Sequence, residues 1–441
     1  MSASEQHRRA GLGRALPMAA TGTPARLAVT APAYSAAVLS WLAAAVALTV
    51  AAGDLARGAV FGTEPVLAAH LVGLGLFPFA VAAAVWQLLP VMLRNDPPTA
   101  RARPVALLLL ASGPPLAAFV ALGWEGPAVV LAVLLACGLL VLLGEVASLV
   151  LGAPAGRQLV VSRPAVALAG AHAAIAFLLG VVTLVDDGPD PLGVPYERLL
   201  LVHVTIALVG WLTILIAAVG RTLVPMLGLA AAAGRRRVPA AELTIAVGLW
   251  TFVVGVASET DGLAAAGIGV IAAGLAPVAR LFAGVALGGK IGAREGPVGH
   301  VAAGLAFLLQ AAVLGVAAGV DVLDGRRAAI AGVLLVGVGW AAGVILGHLG
   351  KLVSLSGWGS WPPGPRPSQL ALYPRRLWQV EVVVFAAGVQ LLAAGVLAGS
   401  GGVARAGGVV LVVSALTAAA AVGETLRRVA RGRRSLESSY G

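Results

Sequence analysis

Six histidines, nineteen carboxylates and one cysteine are the groups in this chain able to hold a metal or move a proton. His70, His172, His203 and His348 fall inside long apolar runs, His300 stands at the mouth of one, and His7 belongs to a basic N-terminal stretch. An imidazole inside an apolar segment is costly enough to suggest a role, and its chemistry is that of a neutral ligand to heme iron or copper, or of a hydrogen-bonding group between helices. Cys137 is the only cysteine, which excludes a disulfide framework or thiolate metal site within one chain. A second polar set sits toward one end of the apolar runs: Gln87, Arg94, Glu145, Arg221, Glu242, Lys351, Glu381 and Glu424. Arg221 is the most telling, one turn before Pro225 and still within its run. A cation there needs a carboxylate, a carbonyl or a heme propionate, with Glu145 and Glu242 as the natural carboxylates. Walker-type, Gly-x-Ser-x-Gly, HExxH and CxxC patterns are missing, so the reading leans away from an enzyme.

The elements that must position these groups follow from composition. The chain is 59% apolar and 11% charged, with a mean hydropathy of +0.97. A soluble domain carries about a quarter charged residues, so the class is an all-α polytopic membrane protein. Apolar runs predict twelve transmembrane helices at 35–52, 65–92, 104–124, 126–151, 164–185, 197–227, 239–257, 262–287, 298–320, 328–355, 377–398 and 406–428. Pro65, Pro104, Pro127, Pro164, Pro239 and Pro297 stand near helix starts, where a missing N–H costs nothing. Of thirty Lys and Arg residues, only Arg57, Arg198, Arg326, Arg327 and Arg405 fall in or beside the loops expected to face outward. Those loops carry acids instead, such as Asp54, Glu64, Asp186, Asp187, Glu259 and Asp261. By the positive-inside rule both termini are then cytoplasmic. Residues 1–33 read as a disordered basic cytoplasmic tail, 34–430 as a single twelve-helix domain, and 431–441 as a second cytoplasmic tail.

The net charge of +11 is accounted for by loops at an anionic membrane surface and is no signal for nucleic acid. Partners are therefore the lipid bilayer and, for a redox role, a redox protein. Lysine occurs only at Lys290 and Lys351 among the thirty cations, which with abundant Ala and Gly fits a GC-rich bacterial genome and a bacterial plasma membrane.

Orientation converts residue numbers into depth. At ~1.5 Å rise per residue, His70 and His203 lie about 12–15 Å outward of their helix centres, His172 about 5 Å inward and His348 about 9 Å inward. Two axial ligands of one heme must stand at similar heights, since the ring plane lies between them. His70 with His203 meets that condition, and so does His172 with His348. His300 reads as an interfacial residue.

Helices two and six are alike: His70-Leu-Val-Gly runs to Leu89-Pro90-Val91-Met92, and His203-Val-Thr-Ile runs to Val224-Pro225-Met226. Helix ten carries His348, and the spacing of four suggests three pseudo-equivalent four-helix units. This arrangement resembles the heme-copper oxidase subunit I superfamily. The pattern His203, Gly210, Trp211 and Val224-Pro225-Met226 is similar to the histidine-to-proline helix of oxidase-like relatives. Gly347-His348-Leu349-Gly350-Lys351 is similar to a stretch of the NnrS family of membrane proteins. The resemblance implies heme b as cofactor, with His70, His172, His203 and His348 as candidate ligands, and copper at His70 and His203. It departs from a true oxidase at helix seven, where Ala241–Trp250 holds no histidine, and at helix ten, which holds one histidine at its inner side. The implied function is an oxidase-like protein without a binuclear oxygen-reducing centre, serving electron transfer, sensing, or handling of heme or copper.

The alternative is a twelve-helix secondary transporter of a small solute, for which the clearest helix break is Gly113-Pro114-Pro115. Gly339, Gly343 and Gly347 form a smooth stripe on helix ten that permits close packing, with His348 beside it. Trp358, Trp361 and Trp378 flank the loop holding Pro362, Pro363, Pro365 and Pro367 and read as an interfacial belt, with the loop as a partner contact.

Overall fold

The computed structural model describes residues 27–93, 95–96, 100–153, 163–185, 191–230, 239–293, 295–319, 322–361 and 366–440. Among these there is no strand, and twelve helices are long and apolar enough to cross a membrane. They are α1 (Leu27–Ala56), α2 (Thr63–Leu93), α3 (Ala100–Ala121), α4 (Glu125–Leu151), α5 (Arg163–Val185) and α6 (Tyr196–Leu227). Then follow α7 (Ala240–Ala257), α8 (Asp261–Gly288), α9 (Gly296–Ala318), α10 (Gly325–Gly359), α11 (Arg375–Leu397) and α12 (Gly401–Gly432). Every expected span is present, because a backbone in hydrocarbon must satisfy its own hydrogen bonds and a helix does so locally.

The ends differ from expectation in two places. The first helix begins at Leu27 and carries Pro32 within it, so residues 27–33 belong to α1. The last helix continues to Tyr440, well past the end of its apolar run. Arg94, Arg235, Arg236, Arg237, Asp186, Asp187 and Pro362, Pro363 and Pro365 lie outside the described residues.

Successive helices pair along their lengths, with α11 on α12, α7 on α8 and α9 on α10, and α12 returns to pack along α1. The start of α1 and the end of the bundle at α10 meet where the Leu27 amide donates to Ser360. We call this the termini face. Burial separates centre from rim: 67% of the most apolar window of α10 is buried within the protein and 61% of that of α2, against 17% for α9 and 22% for α8. The rim helices leave Leu309, Val313, Val316 and Ile268 exposed, as lipid-facing surfaces should.

Among the described residues, wide π-helical turns occur in α2 (Leu71–Leu76), α6 (Ile206–Thr213) and α10 (Leu334–Ala342). Such turns often mark functional segments. One of them is braced from within, for the Thr213 hydroxyl donates to the Leu208 carbonyl and accepts from Trp340 Nε1 at 3.3 Å. The π-turns of α6 and α10 are thereby tied together near the middle of the bundle.

The break in α3 has a packing cause. The helix stops at Leu110 and restarts at Gly113, and a Cβ on Gly113 would collide with the Leu74 carbonyl in the π-turn of α2. The break therefore lets two backbones touch. α10 starts on a capped turn, with the Asp324 carboxylate accepting from the Arg327 amide at 3.0 Å.

Candidate functional site

α2, α6 and α10, together with Tyr34 of α1 and Val166 of α5, line an apolar cavity of about 120 Å³ that is open on one side. Ala80, Ala84, Leu88, Leu212, Ile216 and Val344 are typical of its walls. The one imidazole on the wall belongs to His348. Its Nδ1 lies 2.7 Å from the Val344 carbonyl, so that nitrogen carries the proton and Nε2 keeps its lone pair. The constraint comes from the helix itself, since a residue and the one four earlier lie on the same face. A histidine whose other nitrogen is held by a backbone carbonyl is the usual state of a heme or metal ligand.

The other histidines have different neighbours. His172 uses both ring nitrogens: Nδ1 donates to the Leu168 carbonyl at 2.8 Å, and Nε2 accepts from Trp250 Nε1 at 3.1 Å. Its ring also packs on Gly210 of α6, where a Cβ would come within 2.7 Å of it. No lone pair is left for iron, so the same-depth pair of His172 with His348 reduces to His348 alone.

His70 donates from Nδ1 to the Val66 carbonyl at 2.8 Å, at the entry to the α2 π-turn. His203 hydrogen-bonds the backbone of Ala176 on α5, stacks on Gly180, and leaves its buried Nδ1 without a partner. His70 and His203 are close enough to feel each other's charge. Neither ring contacts the other directly, and His203 leans on α5.

No group of three or more His, Cys, Asp or Glu side chains able to hold a metal ion occurs among the described residues. Copper held by protein side chains would have too few ligands here. Heme meets a weaker condition, because the porphyrin supplies four of the iron's ligands and the protein needs to add only one or two.

The inner polar set resolves into pairs. Glu145 receives two hydrogen bonds from Arg103, from Nε at 2.8 Å and from Nη2, with both side chains almost fully buried. Arg221 is matched instead with Glu242 at 2.5 Å, a charge contact outside hydrogen-bond alignment. Of the two carboxylates considered for Arg221, Glu242 takes it and Glu145 belongs to a different cation. Lys351 stands over the Tyr373 ring, 3.9 Å from its centroid. Gln87 accepts from Tyr34 at 2.6 Å and donates to the Leu352 carbonyl at 2.9 Å, closing the cavity toward the termini face.

Two residues are more enclosed by protein than their sequence positions suggested. His300, in the first turns of α9, is fully buried, with Nε2 at 2.5 Å from Glu381 Oε2. Trp378 is likewise fully buried, its indole against Gly350 where a Cβ would meet Nε1 at 2.6 Å. Trp358 keeps its place beside the Pro-rich loop and donates to the Pro367 carbonyl at 3.0 Å. The glycine stripe of α10 explains the burial of His300: Gly339 faces Phe307, while Gly343 and Gly347 face His300. Sequence spacing showed the stripe but not what would lie on it.

These features define a multi-pass helical membrane protein with an apolar cavity, bordered by His348, among three central helices. No protein-family model matches the sequence, and no curated protein matches it.

Proposed function

We propose that this protein binds heme b at the central cavity, where His348 Nε2 would hold the iron, and that it serves electron transfer, gas or redox sensing, or heme handling. The observation that carries this reading is the lone pair of His348, fixed by the Val344 carbonyl and facing an apolar cavity. One imidazole in an apolar pocket would hold a heme through a single protein ligand, and the apolar walls would shield the iron from water. His172, committed to Trp250, supports a single ligand at that depth. The chain would lack the ligand set of a binuclear oxygen-reducing centre. The π-turns in α2, α6 and α10, four spans apart, support three related four-helix units of the oxidase-like kind. The charge pattern of the loops supports a cytoplasmic termini face in a bacterial plasma membrane.

The test is the absorption spectrum of protein purified from heme-supplemented cells. A Soret band that is lost in His348→Ala and kept in His172→Ala is expected. Absence of the band, or a band that survives His348→Ala, ends this reading. If the band depends on His70 and His203 instead, the heme lies at the opposite end of the bundle.

The second reading is a transporter that passes a small apolar solute through the same cavity. The broken α3 beside the α2 π-turn favours it. Solute uptake into proteoliposomes without any Soret band would select it.

A further inference from the structure

His300 of α9, Glu381 of α11 and Ser414 of α12 meet on the side of α10 opposite the cavity, and none of the three is exposed. Glu381 Oε2 lies 2.5 Å from His300 Nε2, and Glu381 Oε1 accepts from the Ser414 hydroxyl at 2.8 Å. His300 Nδ1 has no partner. It faces the backbone of α10, where a Cβ on Gly343 would lie 3.6 Å away. Phe385 closes the site on the remaining side, its ring centroid 4.9 Å from that of His300, and Trp41 of α1 stacks behind it.

Charge balance dictates what such a cluster holds. With one proton to share, it is either a carboxylate with an imidazolium or a carboxylic acid with an imidazole, and both forms are neutral overall. Removing that proton leaves an isolated negative charge in a low-dielectric interior, where an unpaired charge is disfavoured. The cluster is therefore built around one proton, and the orphaned Nδ1 leaves a second position for it.

A route to that proton leads from the termini face. The Tyr373 hydroxyl is buried and unpartnered, and it lies 2.9 Å from where a Cβ of Gly296 would be, one turn before His300 on α9. Trp378, three residues before Glu381, lines the same spot. Beyond Tyr373 stand Lys351 over its ring and the ion pair of Glu295 with Arg375, whose side chain is exposed. Burial, with Glu295 and Glu381 close by, holds the Tyr373 phenol well above its ordinary pKa, so it stays a hydroxyl able to donate and accept.

We propose that His300 and Glu381 form a proton-binding site, loaded from the termini face through the Tyr373 hydroxyl. The ionisable groups around it are His348 and Lys351 on α10, Glu295 just before α9, Arg375 on α11 and Tyr373 itself. α12 contributes the Ser414 hydroxyl, and α1 presents Trp41. The site lies within electrostatic reach of His348, so its proton sets part of the field at the cavity wall. It does not depend on heme being the cavity ligand.

Infrared difference spectra between acid and alkaline buffers, on detergent-purified protein with isotope-labelled glutamate, test this without any cofactor. A titrating carboxyl band is expected that disappears in Glu381→Gln and moves in frequency in Ser414→Ala, a milder change that leaves the pair in place. Tyr373→Phe is expected to slow exchange of that band in heavy water severalfold. Spectra of Glu381→Gln and Ser414→Ala identical to the parent overturn the site, as does the lack of any titrating carboxyl band. Unchanged exchange in Tyr373→Phe overturns the route.

Discussion

His348 and His300 lie on two sides of the same helix, and their surroundings could hardly differ more. His348 has one nitrogen tied to its own helix and the other turned to an apolar cavity. His300 has no cavity; it is clamped between a carboxylate, a phenyl ring and two glycines. The first is arranged to accept a ligand, the second to keep a proton. The difference arises because α10 is small-faced toward α9 and α11 but wide-spaced toward α2 and α6. Where helices touch, a polar group must find a partner on the neighbour, and where they part, it can wait for a guest.

Breaking the closed side is expected to have the largest effect. Glu381→Ala leaves His300 and Ser414 facing an empty buried position, and loss of one member of a buried ion pair costs about 3–5 kcal/mol. Thermal unfolding in detergent should show a marked fall, whereas Glu381→Gln should fall less because the amide still accepts from Ser414. Next is Gly347→Ala, where the added Cβ would meet His300 Cβ at 2.6 Å. Overpacking of this kind costs about 1–3 kcal/mol, and the displaced α10 should weaken cavity ligand binding along with stability. An equal loss of stability with unchanged ligand binding would show that the two sides of α10 are independent.

A smaller effect is expected at His172. Trp250→Phe removes the donor to its Nε2, and interhelical hydrogen bonds in membrane proteins average about 0.6 kcal/mol. Because His172 is not on the cavity wall, a Soret band should be unchanged while thermal unfolding in detergent falls by about that amount, and a spectral change would show that His172 reaches the cavity. The smallest effect belongs to Arg198 and Glu259, an exposed pair on the face opposite the termini. The Arg198 hydrogen bond and charge hold the Glu259 carboxyl below its ordinary value. A depressed folded pKa contributes stability above the unfolded value and loses it as pH falls through the folded one. The window is thus below the ordinary carboxylate range, and Arg198→Gln should raise the Glu259 carbon chemical shift midpoint while leaving the melting temperature unmoved.

The legible part of the candidate site is what position along a helix, or nearness in the chain, can suggest. The approach of His70 to His203 and the cavity-facing position of His348 follow from counting turns. The pairing of Arg221 with Glu242 was one of two choices, and they are close in the chain. The pairs of Arg103 with Glu145 and His300 with Glu381 join different helices across 42 and 81 residues, and no spacing rule reaches that far. Nor does the commitment of His172 to Trp250 leave a trace in either helix alone. The π-turns went unread too, since their hydrogen bonds shift by one residue without a change in composition.

The sequence by itself determined the twelve spans, because twenty-odd apolar residues in hydrocarbon have few options but to form a helix. It also determined the position of each polar group along its helix, through the fixed rise of that helix. Only the tertiary structure decided which face each group meets. Rotation about a helix axis is set by close packing at Gly339, Gly343 and Gly347, by the contact of Gly113 with the α2 π-turn, and by the few polar pairs between helices. Those contacts turn His348 toward space and His300 toward a carboxylate.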